Sequence, residues 1–504
     1  MENQECVVIR NYPKRVSHTS GEKLPTRDEI TKSLIQEEAP LVSIVLLAYN
    51  KLDYTKQCID SIYKYTEDVD YELILVDNGS ADNTYDYFKT LSEQRPQTRV
   101  VHLVNNQGCI GGFNEGMKVA EGKYIATVCN DFIFTKRWLS NLVKCIESDP
   151  TIGYVSPAAN YISNRQQVDL VFDSLEEMQI KAAAYNQSDP SKWEERIRLM
   201  PNVLMIRREV LQVVGYYDPL FYYGEFGDDD FSFRVRRAGY KLVFCNDTFV
   251  YHYGHVTVGV DQQQNNSLEL SRKLFKDKYK GIDPWIDVVY DVNLVNLIDA
   301  QDIEPHQEVK VLAIAPRCGN ILLMIKNKLK EKGINHVTLY AYTDNPLYYE
   351  DLQSICKNVS VGKIEDIAGS YQSLQFDYIV IAEPLNTFGH VKQLMENTQH
   401  LVTPKGKVIC NFINSVSASI INKMLALPVN PSLQTYIGTE NLHYLIEESG
   451  LAIKMIVAEK YNLTEGQIKA LKEVCHKIGS SEEEREGLLE SLGCYRYLLN
   501  FSKQ

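Results

Sequence analysis

No long hydrophobic run occurs in this 504-residue chain. Its longest apolar stretches, such as VSIVLLAY at 42–49, stay under ten residues. A helix that crosses a membrane needs about 20. The opening residues, MENQECVVIRNYPKR, hold no apolar segment of the kind a secretory signal carries. Neither a membrane helix nor an export signal is expected, and the sequence reads as a cytoplasmic protein. Long basic runs are missing as well. Lys and Arg together number 53 against 66 Asp and Glu, a net charge of −13. A nucleic-acid binder needs a basic surface for the phosphates, so small ligands, proteins or glycans are the expected partners. The eleven cysteines are odd in number, and no two form a CxxC pair. That excludes a disulfide framework or zinc site and implies a reducing compartment. No G-x-G-x-x-G follows the first expected strand, which argues against a dinucleotide-dependent dehydrogenase.

What is present suits a folded α/β chain. The sequence is 44% hydrophobic and 24% charged, enough for large cores. At roughly 100–200 residues per domain, two or three domains are expected. Residues 1–39 read as a polar extension with one short helix near 28–37. From residue 42 the pattern changes. Continuous apolar runs at 42–48, 71–76, 99–104 and 124–128 read as buried strands. Stretches at 56–64, 84–91 and 113–120 have helical spacing. Strand and helix in alternation imply a parallel sheet. The first domain is expected to span 40–300, with a junction near 300–308. A second α/β run then covers 305–504. Its strands are expected at 309–315, 336–342, 376–381, 406–411 and 494–501, and its helices at 321–332 and 391–400.

Ligands of open α/β sheets sit at the carboxyl ends of the strands. There the first domain shows Tyr49-Asn50, Asp77-Asn78, Asn105-Asn106 and Asn130-Asp131. Any one Asn or Asp could simply cap a turn; four in register point to a ligand site. The stretch NNQGCIGGFNEGMKVAEGKYI, 105–125, is rich in glycine, which lets backbone approach a diphosphate. VCNDF, 128–132, offers one carboxylate, Asp131. GEFGDDDFSFRVRRAGYKL, 224–242, places three carboxylates side by side. Their repulsion raises a pKa, which suits a general base. A solvated acidic helix start is the plain alternative. FVYHYGHVT, 249–257, adds His252 and, three residues on, His255.

In this order, over residues 40–260, these motifs resemble the inverting family 2 glycosyltransferases with a GT-A fold. The resemblance implies a nucleotide-sugar site formed by Ala48, Tyr49, Asn50, Asp77, Asn106, Gly112, Asn114, Asn130 and Asp131. Asp77 would hold the base or ribose. Asp131 and His252 would hold a divalent metal, Mn²⁺ or Mg²⁺, on the diphosphate. Aligning RRAGY puts Asp228 at the base position, and a one-residue slip gives Asp229. The Q-x-x-R-W motif of processive members is missing, which favours transfer of one or a few sugars. The second domain is similar to class I methyltransferases through FDYIVIAEPLNT, 376–387, and LVTPKGKVICNF, 401–412. Its cofactor loop, VLAIAPRCGN at 311–320, lacks the family's acidic residue and glycine-rich turn, so S-adenosylmethionine binding is not expected. The expected architecture is a GT-A-type Rossmann-like domain followed by a second Rossmann-like, methyltransferase-like α/β domain. The expected activity moves a sugar, with GlcNAc from UDP-GlcNAc as the leading guess, to an acceptor hydroxyl. Flagellin Ser/Thr, another surface protein or a surface polysaccharide such as O-antigen are the candidate acceptors. The competing reading is a non-catalytic scaffold that binds a partner.

Overall fold

The computed structural model describes residues 7–9, 40–254, 266–300, 303–304, 306–415 and 449–503, with 417, 435, 437, 442 and 446. The expected helix near 28–37 and His255 lie outside the described residues. Two compact units divide the chain, Met1–Asp287 and Val288–Gln504.

The first unit contains β1 (Val7–Ile9), β2 (Val42–Ala48), α1 (Leu52–Tyr65), β3 (Tyr71–Asp77), α2 (Thr84–Gln94), β4 (Thr98–Leu103) and α3 (Gly108–Lys118). It continues with β5 (Tyr124–Cys129), β6 (Phe132–Ile133), α4 (Trp138–Ser148), β7 (Ile152–Ala159), α5 (Leu175–Tyr185), β8 (Trp193–Arg196) and β9 (Val203–Arg207). Helix α6 (Arg208–Val214), α7 (Gly227–Arg237), β10 (Lys241–His252) and α8 (Ser267–Lys278) close it. The strands form one sheet in the order β1-β4-β3-β2-β5-β9-β7-β10-β6, with β8 on β10. From β1 to β5 every pairing is parallel. Strand β9 runs against both β5 and β7. Strand β2 is central and every residue of VSIVLLA is buried, as a strand covered on both faces requires. Helix α1 buries Cys58, Ile59 and Ile62 against it.

Helix α3 begins five residues before the helical spacing of 113–120 suggests. Its glycines read from sequence as a ligand-contacting loop. In the structure two of them let a helix lie unusually close to the sheet. A Cβ on Gly112 would come within 2.3 Å of Leu47 Cδ1, and one on Gly116 within 2.3 Å of Val45 Cγ1. Glycine lowers helix propensity, and close packing on the sheet compensates.

The second unit has β11 (Val309–Ile314), α9 (Asn320–Glu331), β12 (Val337–Thr343), β13 (Asn358–Val361), β14 (Phe376–Ile381), α10 (Val391–Leu401) and β15 (Val402–Ile413). Then come β16 (Leu451–Lys460), α11 (Glu465–Ile478), α12 (Glu482–Leu492) and β17 (Cys494–Lys503). The sheet order is β13-β12-β11-β14-β15-β17-β16. It is parallel through β15, and β17 runs against both neighbours. The order reverses between β11 and β14, which makes that gap the switch point. The unit starts earlier than the 300–308 junction expected from the polar stretch there. Leu294, Val295, Leu297 and Ile298 are buried. Arg496 holds Asp291 with two bonds of 2.6 and 3.1 Å, and Asn500 Nδ2 donates to the Leu297 carbonyl at 3.1 Å.

Among the described residues no helix is long and apolar enough to cross a membrane. The ten described cysteines are all free thiols.

Candidate active site

The carboxyl ends of β2, β3 and β5 meet in a floor of interlocked asparagines. Asn50 and Lys51 follow β2 in left-handed backbone, with φ of 56° and 61°. Asn50 N–H donates to Ser80 Oγ at 2.8 Å, and Asn50 Oδ1 accepts from Ala81 N–H at 2.8 Å. Asn130 Nδ2 donates to the Asn50 carbonyl and to Thr55 Oγ1. Asn78 Nδ2 donates to Asn106 Oδ1 and the Gly108 carbonyl, while its Oδ1 accepts from Gln107 N–H. The four Asn/Asp strand ends thus tie each loop to the next. Tyr49, beside Asn50 in the chain, is exposed.

Four expected donor contacts sit deeper. Asp77 is fully buried. Its Oδ2 is 2.6 Å from His102 Nδ1 and its Oδ1 accepts from Ser80 N–H. Tyr85 stacks on that imidazole at 3.9 Å. Asn114 clamps Tyr217 through both backbone bonds, 2.9 and 3.0 Å. Gly112 faces Leu47, and Ala48 is buried in β2. These side chains shape the floor from beneath.

Asp131 lies in the turn between β5 and β6 and is nearly buried. His252 ends β10, which pairs with β6 so that His252 lies opposite Phe132. The imidazole stacks on Phe132 at 4.4 Å and 5°. Its Nε2 is 3.4 Å from Asp131 Oδ2. Asp131 Oδ1 is buried with no hydrogen-bond partner among the described residues. An orphaned carboxylate oxygen is costly and suits a hard cation, which prefers oxygen ligands. The described residues contain no cluster of three or more His, Cys, Asp or Glu placed for a metal. Among the described residues, Asp131 and His252 are the pair that could meet a cation here.

The acidic run forms the first turn of α7, where the helix dipole favours negative charge. The three carboxylates then diverge. Asp230 is fully buried and held by Tyr279 Oη at 2.8 Å, Lys278 Nζ at 2.5 Å and Arg234 Nε at 2.9 Å. It anchors α8 to α7. Asp229 pairs with Arg198 at 2.8 Å. Asp228 Oδ2 is buried with no hydrogen-bond partner among the described residues. Burial and the adjacent Asp229 charge push the Asp228 carboxyl up to about 7, against the pull of Arg198. Burial pushes the Tyr217 hydroxyl well above its ordinary value, and the Asp228 charge adds to it.

Sequence reasoning singled out Asp131, Asp228, Asp229 and His252. It missed Arg198, Asn160, Tyr161, His102 and Tyr154, whose buried Oη also lacks a partner among the described residues. They come from strands and loops far away in sequence and carry no spacing signal.

Glycosyltransferase GlyG of Streptococcus pneumoniae is 28% identical over 214 residues, 41% of this chain and 68% of that one. Glycosyltransferase AglE of Haloferax volcanii is 24% identical over 220 residues, 42% of this chain and 67% of its own. The uncharacterized protein y4gI of Sinorhizobium fredii is 25% identical, and only 29% of its length is covered. A mannosyltransferase structure from Pyrobaculum calidifontis, in complex with GDP-Man and Mn²⁺, superposes with a TM-score of 0.35 at 15% identity, covering 63% of this chain and 75% of that one. Residues 43–212, the stretch that carries the asparagine floor and Asp131, match the model of glycosyl transferase family 2.

Proposed function

We propose that this chain is an inverting glycosyltransferase that uses a nucleotide-sugar donor and a divalent metal. The observation that carries the reading is Asp228. It is a carboxylate with one orphaned buried oxygen, held near neutrality at the start of α7. A general base works best with a pKa close to the operating pH. Asp228 takes the acceptor hydroxyl's proton as that oxygen attacks the anomeric carbon. The glycosidic C–O bond to the nucleoside diphosphate breaks on the opposite face, so an α-linked donor gives a β-linked product. Asp131 and His252 would hold Mn²⁺ or Mg²⁺, which would offset charge on the departing diphosphate. Asp229 keeps Asp228 basic and is itself fixed by Arg198. UDP-GlcNAc is the donor proposed. A hydroxyl on a protein, such as a flagellin Ser/Thr, or on a surface glycan is the acceptor. The relatives' glycosyltransferase names and the family match over 43–212 support the reading.

The test is binding and hydrolysis of a panel of UDP-, GDP- and dTDP-sugars, with and without Mn²⁺. Failure of every donor under both conditions, with folded protein, would favour the scaffold. A second measurement reads the base directly. Asp228 must be ionised to act, so kcat/KM rises with pH through a limb near 7 and flattens above it. Asp229→Asn removes the neighbouring charge that raises the pKa and leaves Arg198 to lower it. The limb should then move to lower pH. A limb that stays in place assigns the raised pKa to another group.

The second unit is proposed to serve acceptor recognition or assembly rather than methyl transfer. At its switch point Arg317, with a left-handed φ of 49°, pairs with Glu383 beyond β14. That pair occupies the crevice where such a sheet takes its ligand. Calorimetric binding of S-adenosylmethionine would overturn this.

A further inference from the structure

We infer that Asn160 is a positioning residue for the metal-facing histidine. With the Tyr161 carbonyl, it fixes which ring nitrogen His252 presents. The inference rests on the metal-dependent reading above and deepens it.

Asn160 follows β7, and its side-chain amide spans the backbone of His252. Asn160 Nδ2 donates to the His252 carbonyl at 2.8 Å, and His252 N–H donates to Asn160 Oδ1 at 2.8 Å. One side chain therefore satisfies both backbone groups of the last residue in β10. The next carbonyl on, that of Tyr161, is 3.2 Å from His252 Nδ1. A carbonyl only accepts, so Nδ1 must carry the hydrogen. In the neutral ring Nε2 then carries the lone pair, and it lies 3.4 Å from Asp131 Oδ2. The hydrogen bond at one imidazole nitrogen sets what the other can ligate. Phe132 holds the plane of the ring from below.

The loop has an unusual shape for this task. Tyr161, Asn164 and Arg165 all have positive φ, at 52°, 60° and 55°. Residues other than glycine keep that conformation only where the surroundings enforce it. At Gly254 the chain has a φ of 72°, and a Cβ there would fall 3.1 Å from Tyr161 Cβ. The glycine makes room for Tyr161 just past the end of β10. Three features thus act on one imidazole: an amide clamp, a strained carbonyl and a glycine gap. Asn160 itself reaches neither Asp131 nor Asp228 through any hydrogen bond in the structure. Its effect runs through His252.

The experiment uses the full chain labelled with ¹⁵N in its ten histidine rings. In the wild type, His252 should give ring shifts of a single Nδ1–H tautomer, assigned by the loss of that signal in His252→Gln. Asn160→Ala should convert them to averaged values. In parallel, Mn²⁺ is titrated by electron paramagnetic resonance in a mixture of UDP, GDP and dTDP. Asn160→Ala should weaken Mn²⁺ about 10–100-fold, the usual cost of losing an outer partner of a ligand. Asn164→Ala is the control. That residue braces the same loop through Gln166 and the Arg198 carbonyl, and Mn²⁺ affinity should hold. Equal weakening by both variants would reduce Asn160 to a general loop brace. Wild-type Mn²⁺ affinity and an unchanged tautomer in Asn160→Ala would overturn the inference and leave the metal reading intact. A wild type that binds no Mn²⁺ would overturn both.

Discussion

Asp228→Asn should lower kcat by at least about 10², and up to about 10⁴, while the affinity for donor and metal stays near that of the wild type. The amide keeps the size and planarity of the carboxyl but cannot take the acceptor's proton. Asp229 is poorly placed to substitute, because its carboxylate is already paired with Arg198 at 2.8 Å. Asp230 is worse placed, fully buried under Tyr279, Lys278 and Arg234. A simple loss of folding would also abolish activity, and stability separates the two. The folded-state pKa of Asp228, about 7, lies above the ordinary 3.8. Its contribution to stability is present at acid pH and is lost as pH rises through 7, where a buried carboxylate must ionise. The asparagine does not titrate. Asp228→Asn should therefore have a higher Tm than the wild type at pH 8, and the gain should shrink towards pH 5. An inactive variant that is more stable at pH 8 identifies a residue kept for chemistry at a cost in stability. An active Asp228→Asn sinks the assignment, and Asp229 becomes the candidate.

The first unit was legible in outline because its parallel strands are buried on both faces and read as unbroken apolar runs. The strand at 71–76 ends one residue later in the structure, and that at 124–128 likewise. The acidic segment was equally plain, since three adjacent Asp residues at a helix start leave a local mark. Helix α3 was not. Its glycines mean close approach, and sequence does not say whether a ligand or Leu47 is what they approach. The division of labour within Asp228–Asp230 was hidden for a similar reason. It is decided by Arg198, Tyr279 and Lys278, which the fold brings in from two other elements. The same applies to Asp77, whose partner His102 comes from the next strand over. The unit boundary was misplaced because residues 288–300 alternate polar and apolar groups. Their apolar half packs into the second unit and their Asp291 meets Arg496 from its last strand.

Asp131→Asn should remove metal and donor together, and transfer with them. VCNDF carries one carboxylate, so no neighbouring acid can take over. His252 alone gives one nitrogen ligand, and hard cations bind oxygen. The asparagine would retain an oxygen but lose the charge that a divalent cation needs. Losing an outer partner of a metal ligand costs about 10–100-fold in affinity, so losing the carboxylate itself should cost at least about 10². The nucleoside diphosphate should weaken in step, because the Asn78 and Asn130 amides of the floor are already bonded to other protein groups. This signature is the opposite of that for Asp228→Asn, where binding survives and chemistry is lost. Isothermal titration of UDP into each variant, with Mn²⁺ and then with EDTA, distinguishes them. For the wild type and Asp228→Asn, EDTA should abolish tight binding. For Asp131→Asn, binding should be weak in both conditions, with no difference between them. If Asp131→Asn still binds UDP more tightly with Mn²⁺ than with EDTA, the cation is held elsewhere. The orphaned Asp131 oxygen would then need another explanation, and the metal would leave the mechanism at this position. If instead UDP binds the wild type equally well with Mn²⁺ and with EDTA, the donor is held by protein alone, and the positive charge that steadies the leaving group must come from a side chain.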